Sequence, residues 1–414
     1  MPDGYAVAMT QPTVLISGAG IAGPSLAFWL THSGYRVIVV EIAPAIRPGG
    51  QTVDLRGAGG DVVERMGLMD QMREHALEQH GVAWVRSDGR RRAVMPVTAF
   101  DGNGLVSKLE ILRGDLVDVL YQATKDDAEY CFNTGISAVR PGDDGVDVNL
   151  TDGTQLRVDL VVGADGPHST VRRLVFGPEE QFVKPIGGYN AWFSAPDRVG
   201  LDGWYLMYQA PVGLNASMRP SHDPLIAKAG LAFQSEPIGY DRHDLDQQRQ
   251  ILLERFAGAG WECDALLAAA QDADDFYFDS FAQVHMPSFS SGRVTLVGDA
   301  GYCASPLSGM GTSLALVGAY ILAGELGPAD ALDGQRIRTS LVQYGNVMRP
   351  YVDKCQDLPN GIDGYAPKSS SDIAINALVM KWMQRWPFRP LAAKLWFNTA
   401  DSVDLPDYSP SKIG

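Results

Sequence analysis

Three short stretches of the chain combine residue types and spacings that could do chemistry. The first is Gly18-Ala19-Gly20-Ile21-Ala22-Gly23, between an apolar run, Thr13 to Ser17, and a helix-like segment, Pro24 to His32. In such a loop the first glycine permits a tight turn and the second lets backbone approach a pyrophosphate. The third lets the helix pack close to the strand. The helix N-terminus then offers free N–H groups and a favourable dipole to the anion. Glu41 ends the next apolar strand, Tyr35 to Val40, where a carboxylate can hold the ribose hydroxyls of an adenosine. The second stretch, Val161 to Gly166 (VVGADG), follows another buried-strand run and precedes Arg172 and Arg173. The third begins at Gly298-Asp299, directly after RVTLV, and continues through Pro306, Gly309 and Gly311.

The first motif alone does not separate NAD from FAD, but the later two favour FAD. Asp299 falls at the C-terminal end of a strand, where ligands of open α/β sheets bind, and can accept a hydrogen bond from a ribityl hydroxyl. Gly309 to Gly311 lead into an apolar helix whose N-terminus can face the flavin N1–C2=O edge and stabilise negative charge there.

These motifs need a parallel sheet to hold them, and the pattern of elements supplies one. Strand, glycine loop, helix and strand between Thr13 and Val40 make a βαβ unit. Asp61 to Gln79 reads as a helix. Gly81 to Val97 alternates apolar and polar residues around Asp88-Gly89, a hairpin signature. A second strand-rich region, Val183 to Phe233, carries Tyr189, Trp192, Phe193, Trp204, Tyr205 and Tyr208. The two regions are expected to pair into one antiparallel sheet although they lie ~100 residues apart. Between them come an arginine-bearing helix, Leu109 to Thr124, and a hairpin around Asp152-Gly153. Asp244 to Ala257 and Gly311 to Leu326 read as helices. Ser371 to Asn398 reads as a long amphipathic helix that Pro387 and Pro390 should kink or break. Its apolar face, Ile373, Ile375, Leu378, Val379 and Trp382, suits an intramolecular strut.

Composition sets the outer limits. With 414 residues, the chain is long enough for two or three domains and a large core. A net charge of −15 argues against nucleic-acid partners, which need a basic face. The four cysteines (Cys131, Cys263, Cys303 and Cys355) form no CxxC pair and read as structural thiols in a reducing cytoplasm. Met1 to Gln11 has neither the basic residues nor the apolar run of a targeting peptide. Ser313 to Leu326 is too short to span a bilayer, so no membrane association is expected. No metal cluster is apparent, and the chain is expected to be a monomer.

The Gly18–Gly23, Asp165-Gly166 and Gly298-Asp299 motifs, in this order, resemble those of class A flavoprotein monooxygenases, the group with the para-hydroxybenzoate hydroxylase fold. The resemblance runs from about Thr13 to about Leu326. The segment Arg47 to Leu55 (RPGGQTVDL) is most similar to the tetracycline-inactivating and related antibiotic and polyketide hydroxylases. The implied fold is an α/β, Rossmann-type FAD-binding domain with an inserted antiparallel-sheet substrate domain and a long C-terminal helix. The boundaries implied are 1–80, 101–178 and 285–350 for the FAD domain, 81–100 and 179–284 for the substrate domain, and 368–400 for the bridging helix.

Carried over residue by residue, the resemblance puts Arg113 on the ribityl or pyrophosphate part of the flavin. It puts Arg47 beside the cofactor, Asp54 near the isoalloxazine, and Asp165 in contact with FAD and pyridine nucleotide. Gly301-Tyr302 departs from the usual Ala-His. Cys303 reads as a small buried residue, so FAD is expected to be noncovalent. The implied reaction uses NADPH or NADH as a transient co-substrate and O2, and passes oxygen from a C4a-hydroperoxyflavin to an aromatic or enolic small molecule. No catalytic side chain is implied beyond the flavin. Trp192, Tyr205, Tyr208 and Arg219 are candidates for the substrate pocket, with plain sheet core or a solvated loop as the competing readings. A non-oxygenating FAD oxidoreductase, or a flavoprotein that sequesters its ligand, is the alternative function.

Overall fold

In the computed structural model, residues 11–102, 104–358, 361–389 and 403–408 are described. Runs of β-branched and leucine residues form the first sheet. Its six strands lie in the order Ser290–Ser291, Val294–Leu296, Leu160–Gly163, Thr13–Ser17, Arg36–Glu41 and Glu129–Phe132. All pairings are parallel except the short edge strand Ser290–Ser291. Val14, Leu15, Ile16, Leu160, Val161 and Val162 are fully buried. Each such side chain contributes about 1.5–3 kcal/mol of apolar burial. Helix Ala22–His32 packs on this sheet, and helix Gly311–Leu326 packs on Ala22–His32 and approaches Val297, just past Val294–Leu296. All three motifs therefore end on the same C-terminal edge of the sheet.

The second sheet has seven strands. Their order is Tyr277–Val284, Val183–Pro196, Ile226–Gln234, Leu214–Pro220, Trp204–Ala210, Gly81–Val85 and Arg91–Pro96. The two distant regions do join, between Trp204–Ala210 and Gly81–Val85, but that seam is parallel. A hairpin cannot make a parallel seam; here the connection is more than 100 residues long and leaves the direction free. Helices Leu245–Phe256 and Cys263–Asp272 cover one face, over a core that includes Tyr189, Phe193, Phe233, Phe256 and Leu266. The other face packs against Phe100 and Val106 and against Ile362, Ala366, Ala377 and Met383 of the chain's C-terminal part. A third sheet, Ile136–Pro141, Val146–Leu150 and Gln155–Val158, includes the expected Asp152-Gly153 hairpin.

Three helices differ from expectation. The Asp61–Gln79 segment divides into Gly57–Arg65 and Met69–Glu74, because Gly67 takes a left-handed conformation at φ 72° between them. The Leu109–Thr124 segment starts as a strand, Glu110–Leu112, and becomes helical only at Arg113. The C-terminal helix spans Ser370–Trp382 and stops before Pro387; residues 390–398 of the expected helix lie outside the described residues. Of its five expected apolar contacts only Ile373 is buried, while Ile375, Leu378, Val379 and Trp382 are exposed. The packed face is instead Ile373, Ala377, Met380 and Gln384, one helical stripe against the second sheet, with Gln384 Nε2 donating to Val94 O at 2.9 Å. Further on, Tyr408 packs on Gly324 and donates to Glu325 at 2.7 Å. The C-terminal part thus touches the second sheet at one point and helix Gly311–Leu326 at another.

Candidate active site

The glycine loop is shaped by contacts that no side chain could survive. Gly18 has φ 106°, and a Cβ there would lie 2.5 Å from Ala164 O. A Cβ on Gly23 would lie 1.9 Å from Gly18 O. Helix Ala22–His32 has neither a side-chain cap nor an acidic residue in its first turn, so its leading N–H groups remain available to an anion. Glu41 ends its strand and accepts from Ala19 N at 2.8 Å and Ala43 N at 2.9 Å, which aims the carboxylate into the loop.

Arg113 Nη2 comes within 3.3 Å of a Cβ position on Gly20. Gly114 makes that approach possible: a side chain there would strike Gly49 N at 2.3 Å, and Gly114 N donates to Gly49 O at 2.6 Å. The Arg47–Asp54 segment is thereby pinned beside Arg113. Burial lowers the Arg113 pKa, Asp299 raises it, and Arg47 lowers it again by repulsion. Two guanidinium groups that repel each other beside an uncapped helix N-terminus suit a pyrophosphate.

Asp299 follows Gly298, whose φ of 64° turns the chain at the end of Val294–Leu296. Its carboxyl is half-buried, and desolvation pushes it above the usual range against the pull of Cys303 and Arg113. Gly311 lies alongside, its Cβ position 3.9 Å from Asp299 Oδ1. Pro306 begins a 3-10 turn, and Gly309 ends it in the left-handed conformation. Helix Gly311–Leu326 then starts without a side-chain cap. The departure at Gly301-Tyr302 has a packing explanation. Tyr302 is fully buried, its hydroxyl 2.9 Å from Tyr344 OH, in a notch that exists because residue 318 is glycine.

Asp165, expected to contact FAD and pyridine nucleotide, already has local partners. Its oxygens accept from the Ser169 hydroxyl and from Val171 N at 3.1 Å, so it organises the turn into helix Thr170–Val175. Arg172, with no exposed surface, ties that helix to the third motif by donating to Ala300 O at 2.9 Å.

Asp54 lies on a short strand opposite Glu110 and pairs with Arg56 at 3.1 Å. Arg56 also donates to Gly104 O at 2.6 Å and approaches the Gly309 turn. Glu110 faces Arg219 at 3.3 Å. Burial pushes the Glu110 carboxyl up to about 8, more than Arg219 pulls it down. The Arg219 guanidinium sits 3.9 Å from the centre of the Tyr205 ring. Trp192 shares this inner face of the sheet, its indole resting against Gly230.

Tyr208 does not join this group. It is three residues from Tyr205, and side chains alternate across a sheet, so it points to the helix-covered face. Its hydroxyl donates to Ala259 O at 2.7 Å and its ring packs near Trp261. Tyr208 is therefore a core residue and not part of the pocket.

Several residues of the site escaped the sequence reading. Glu110 and Arg56 lie in no recognisable motif. Asn190 is 1% exposed, and neither its Oδ1 nor its Nδ2 has a hydrogen-bond partner. It lies on the inner face with Trp192, two residues away; the alternation of NAW within YNAWFS was the available signal.

Residues 11–358 match the family described as FAD binding domain. The chain belongs to that family. It is 38% identical over 343 residues to a flavin-dependent monooxygenase of Legionella longbeachae, which covers 83% of this chain and 86% of that one. It is 34% identical over 398 residues to an FAD-dependent monooxygenase of Sarocladium schorii, covering 90% and 92%. Among solved structures, the tetracycline destructase Tet(51) superposes with a TM-score of 0.79 at 32% identity, covering 96% of this chain and 99% of that one. The protein is an FAD-dependent monooxygenase with the class A flavin monooxygenase fold. The residues around the glycine loop fit FAD: an anion site at Gly18–Gly23 with two guanidiniums, and a half-buried carboxylate at Asp299 on the same edge of the sheet. Among the described residues no helix is long and apolar enough to cross a membrane.

Proposed function

We propose that this monooxygenase uses NADPH or NADH and O2 to hydroxylate a planar, polycyclic phenolic or enolic molecule. The observation that carries the reading is the inner-face group of Trp192, Tyr205 and Arg219, which adjoins the Gly309 turn through Glu110, Asp54 and Arg56. Bound FAD supplies the redox chemistry, accepting reducing equivalents and activating oxygen; the side chains bind, orient and exclude water. Gly18, Gly20, Ala22 and Gly23 with Arg47 and Arg113 hold the pyrophosphate, Glu41 the adenosine ribose, and Asp299 the ribityl chain. Gly298, Pro306, Gly309 and Gly311 shape the wall nearest the flavin ring.

Arg219 is a fixed cation stacked on an aromatic ring, suited to a phenolate or enolate oxygen. Burial favours the neutral form of Glu110, which can donate a hydrogen bond to the same oxygen. Asn190 offers an amide whose burial without a partner is costly until a ligand satisfies it. Trp192 provides an aromatic surface for fused rings. Tet(51), by name, destroys tetracycline, a ligand of this shape.

The test is NADPH and NADH oxidation in the presence of a tetracycline, an anthraquinone or para-hydroxybenzoate, with mass detection of isotopic oxygen from O2. Stimulated oxidation and one added oxygen atom on a polycyclic compound are expected. Hydroxylation of the single-ring phenol alone would refute the polycyclic assignment.

A further inference from the structure

Away from the flavin site, three segments bring metal-ligating side chains together. His75 caps the end of helix Met69–Glu74. Asp115 lies in the first turn of helix Arg113–Gln122. His222 follows strand Leu214–Pro220 in the turn toward Ile226–Gln234. One ligand atom from each lies within 4.8 Å of the other two, and His222 Nε2 is 2.7 Å from Asp115 Oδ2.

We propose that His75, Asp115 and His222 form a binding site for a divalent transition-metal ion of the zinc class. Two imidazoles and one carboxylate select zinc, nickel or copper over magnesium and calcium, which prefer oxygen-only donors. Zinc–nitrogen and zinc–oxygen bonds are about 2.0–2.2 Å long, so ligand atoms around one ion sit roughly 3.3 Å apart. Binding would draw the three ligand atoms, which lie within 4.8 Å of one another, to that spacing. All three side chains are accessible: His75 is exposed, and the His222 and Asp115 side chains are 46% and 24% exposed.

The backbone holding them is fixed. Ala76, next to His75, bridges to Ile111. Asp115 lies two residues beyond Arg113, whose backbone is bonded to Gln51 O at 2.9 Å. Ser221, beside His222, donates to Ile226 O at 2.8 Å and closes the turn. The net charge of −15 favours a cation over an anion at such a surface.

The consequence is mechanical. Two ligands come from helices beside the glycine-loop side and one from the second sheet, so a bound ion fastens the two together. A ligand that binds only the folded arrangement stabilises it by mass action.

The test uses the flavin-loaded full chain, stripped with chelator and dialysed against Zn2+ or Mg2+, with bound metal measured per chain. About one zinc is expected, no comparable magnesium, and a zinc-dependent rise in melting temperature that EDTA reverses. His75→Ala and His222→Asn should each weaken zinc binding at least about tenfold, since even supporting groups of metal sites contribute that much. Both should also abolish the melting shift while flavin content stays unchanged. If His75→Ala fails to fold, His222→Asn, in an exposed turn, decides. Absence of stoichiometric zinc in the parent, stoichiometric magnesium in its place, or unaltered zinc affinity in a folded histidine variant overturns the assignment.

Discussion

Asp299 keeps a half-buried carboxyl between the end of a strand and the start of helix Gly311–Leu326. Burial raises its pKa, and that unfavourable desolvation is offset when a ribityl hydroxyl donates to it. Replacing Asp299 with alanine should remove a charge-assisted bond worth about 1.5–3 kcal/mol. FAD affinity then falls about tenfold to a hundredfold while the fold survives. Titration of FAD into the apo variant checks this, and an unaltered dissociation constant would exclude Asp299 from the ribityl site. Residues such as Asp299 were legible in the sequence because their surroundings are local: an apolar strand, a glycine and a helix start within a few positions. Glu110 was not, because its environment comes from Asp54, which is 56 positions earlier, and Arg219, which is 109 positions later. No local pattern announces a carboxyl whose properties are set by partners so far along the chain.

At the scale of the element, the seven-stranded sheet shows both what patterning reveals and what it hides. Alternation identified the strands and even the union of two distant regions. The count of aromatics, taken without alternation, wrongly grouped Tyr208 with Tyr205. Direction at the seam was equally hidden, since period-two patterning is the same for parallel and antiparallel neighbours. The two tyrosines should therefore separate cleanly under mutation. Tyr208→Phe loses the bond to Ala259 O and should cost about 1 kcal/mol of stability, with substrate KM unchanged. Tyr205→Leu removes the ring beneath Arg219. A desolvated cation–π contact is worth about 1–2 kcal/mol, so KM should rise roughly tenfold. Parallel denaturation and steady-state measurements compare them; a KM effect at Tyr208 equal to that at Tyr205 would contradict the assignment of faces. Helix Gly334–Gln356 carried no chemical motif and drew no expectation, although its buried Ile337, Leu341, Tyr344, Met348, Tyr351 and Cys355 recur at helical spacing through Pro350.

At the scale of the whole molecule, His168 joins the two sheets. It stands just after Asp165-Gly166 and bonds Glu179 at 2.9 Å and Asp279 of the second sheet at 2.9 Å. Asp279 also accepts from Tyr277 OH at 2.8 Å and Tyr240 OH at 3.4 Å, while Arg172 and Arg242 stand 3.6 and 3.9 Å from Glu179. Burial alone would lower the His168 pKa, but the two carboxylates outweigh it and raise it from 6.5 to about 9. Because the folded value is the higher one, the stabilisation is present in full below 6.5 and is lost as pH rises through about 9. Melting temperatures from about pH 6 to about pH 10 should show an alkaline loss on the order of 2 kcal/mol that His168→Asn lacks. Superimposable pH profiles for the two proteins would show that the histidine does not stabilise the junction through its charge.

The two-faced sheet has a bearing on how such an enzyme diversifies. Tyr189, Phe193, Leu231 and Phe233 hold the fold from one face, and Trp192, Arg219 and Tyr205, the proposed ligand contacts, lie on the other. Neighbouring codons thus answer to different selective demands. A lineage can sample new chemistry at every second position of these strands while the intervening positions preserve foldability, so substrate range can drift without repeated structural repair.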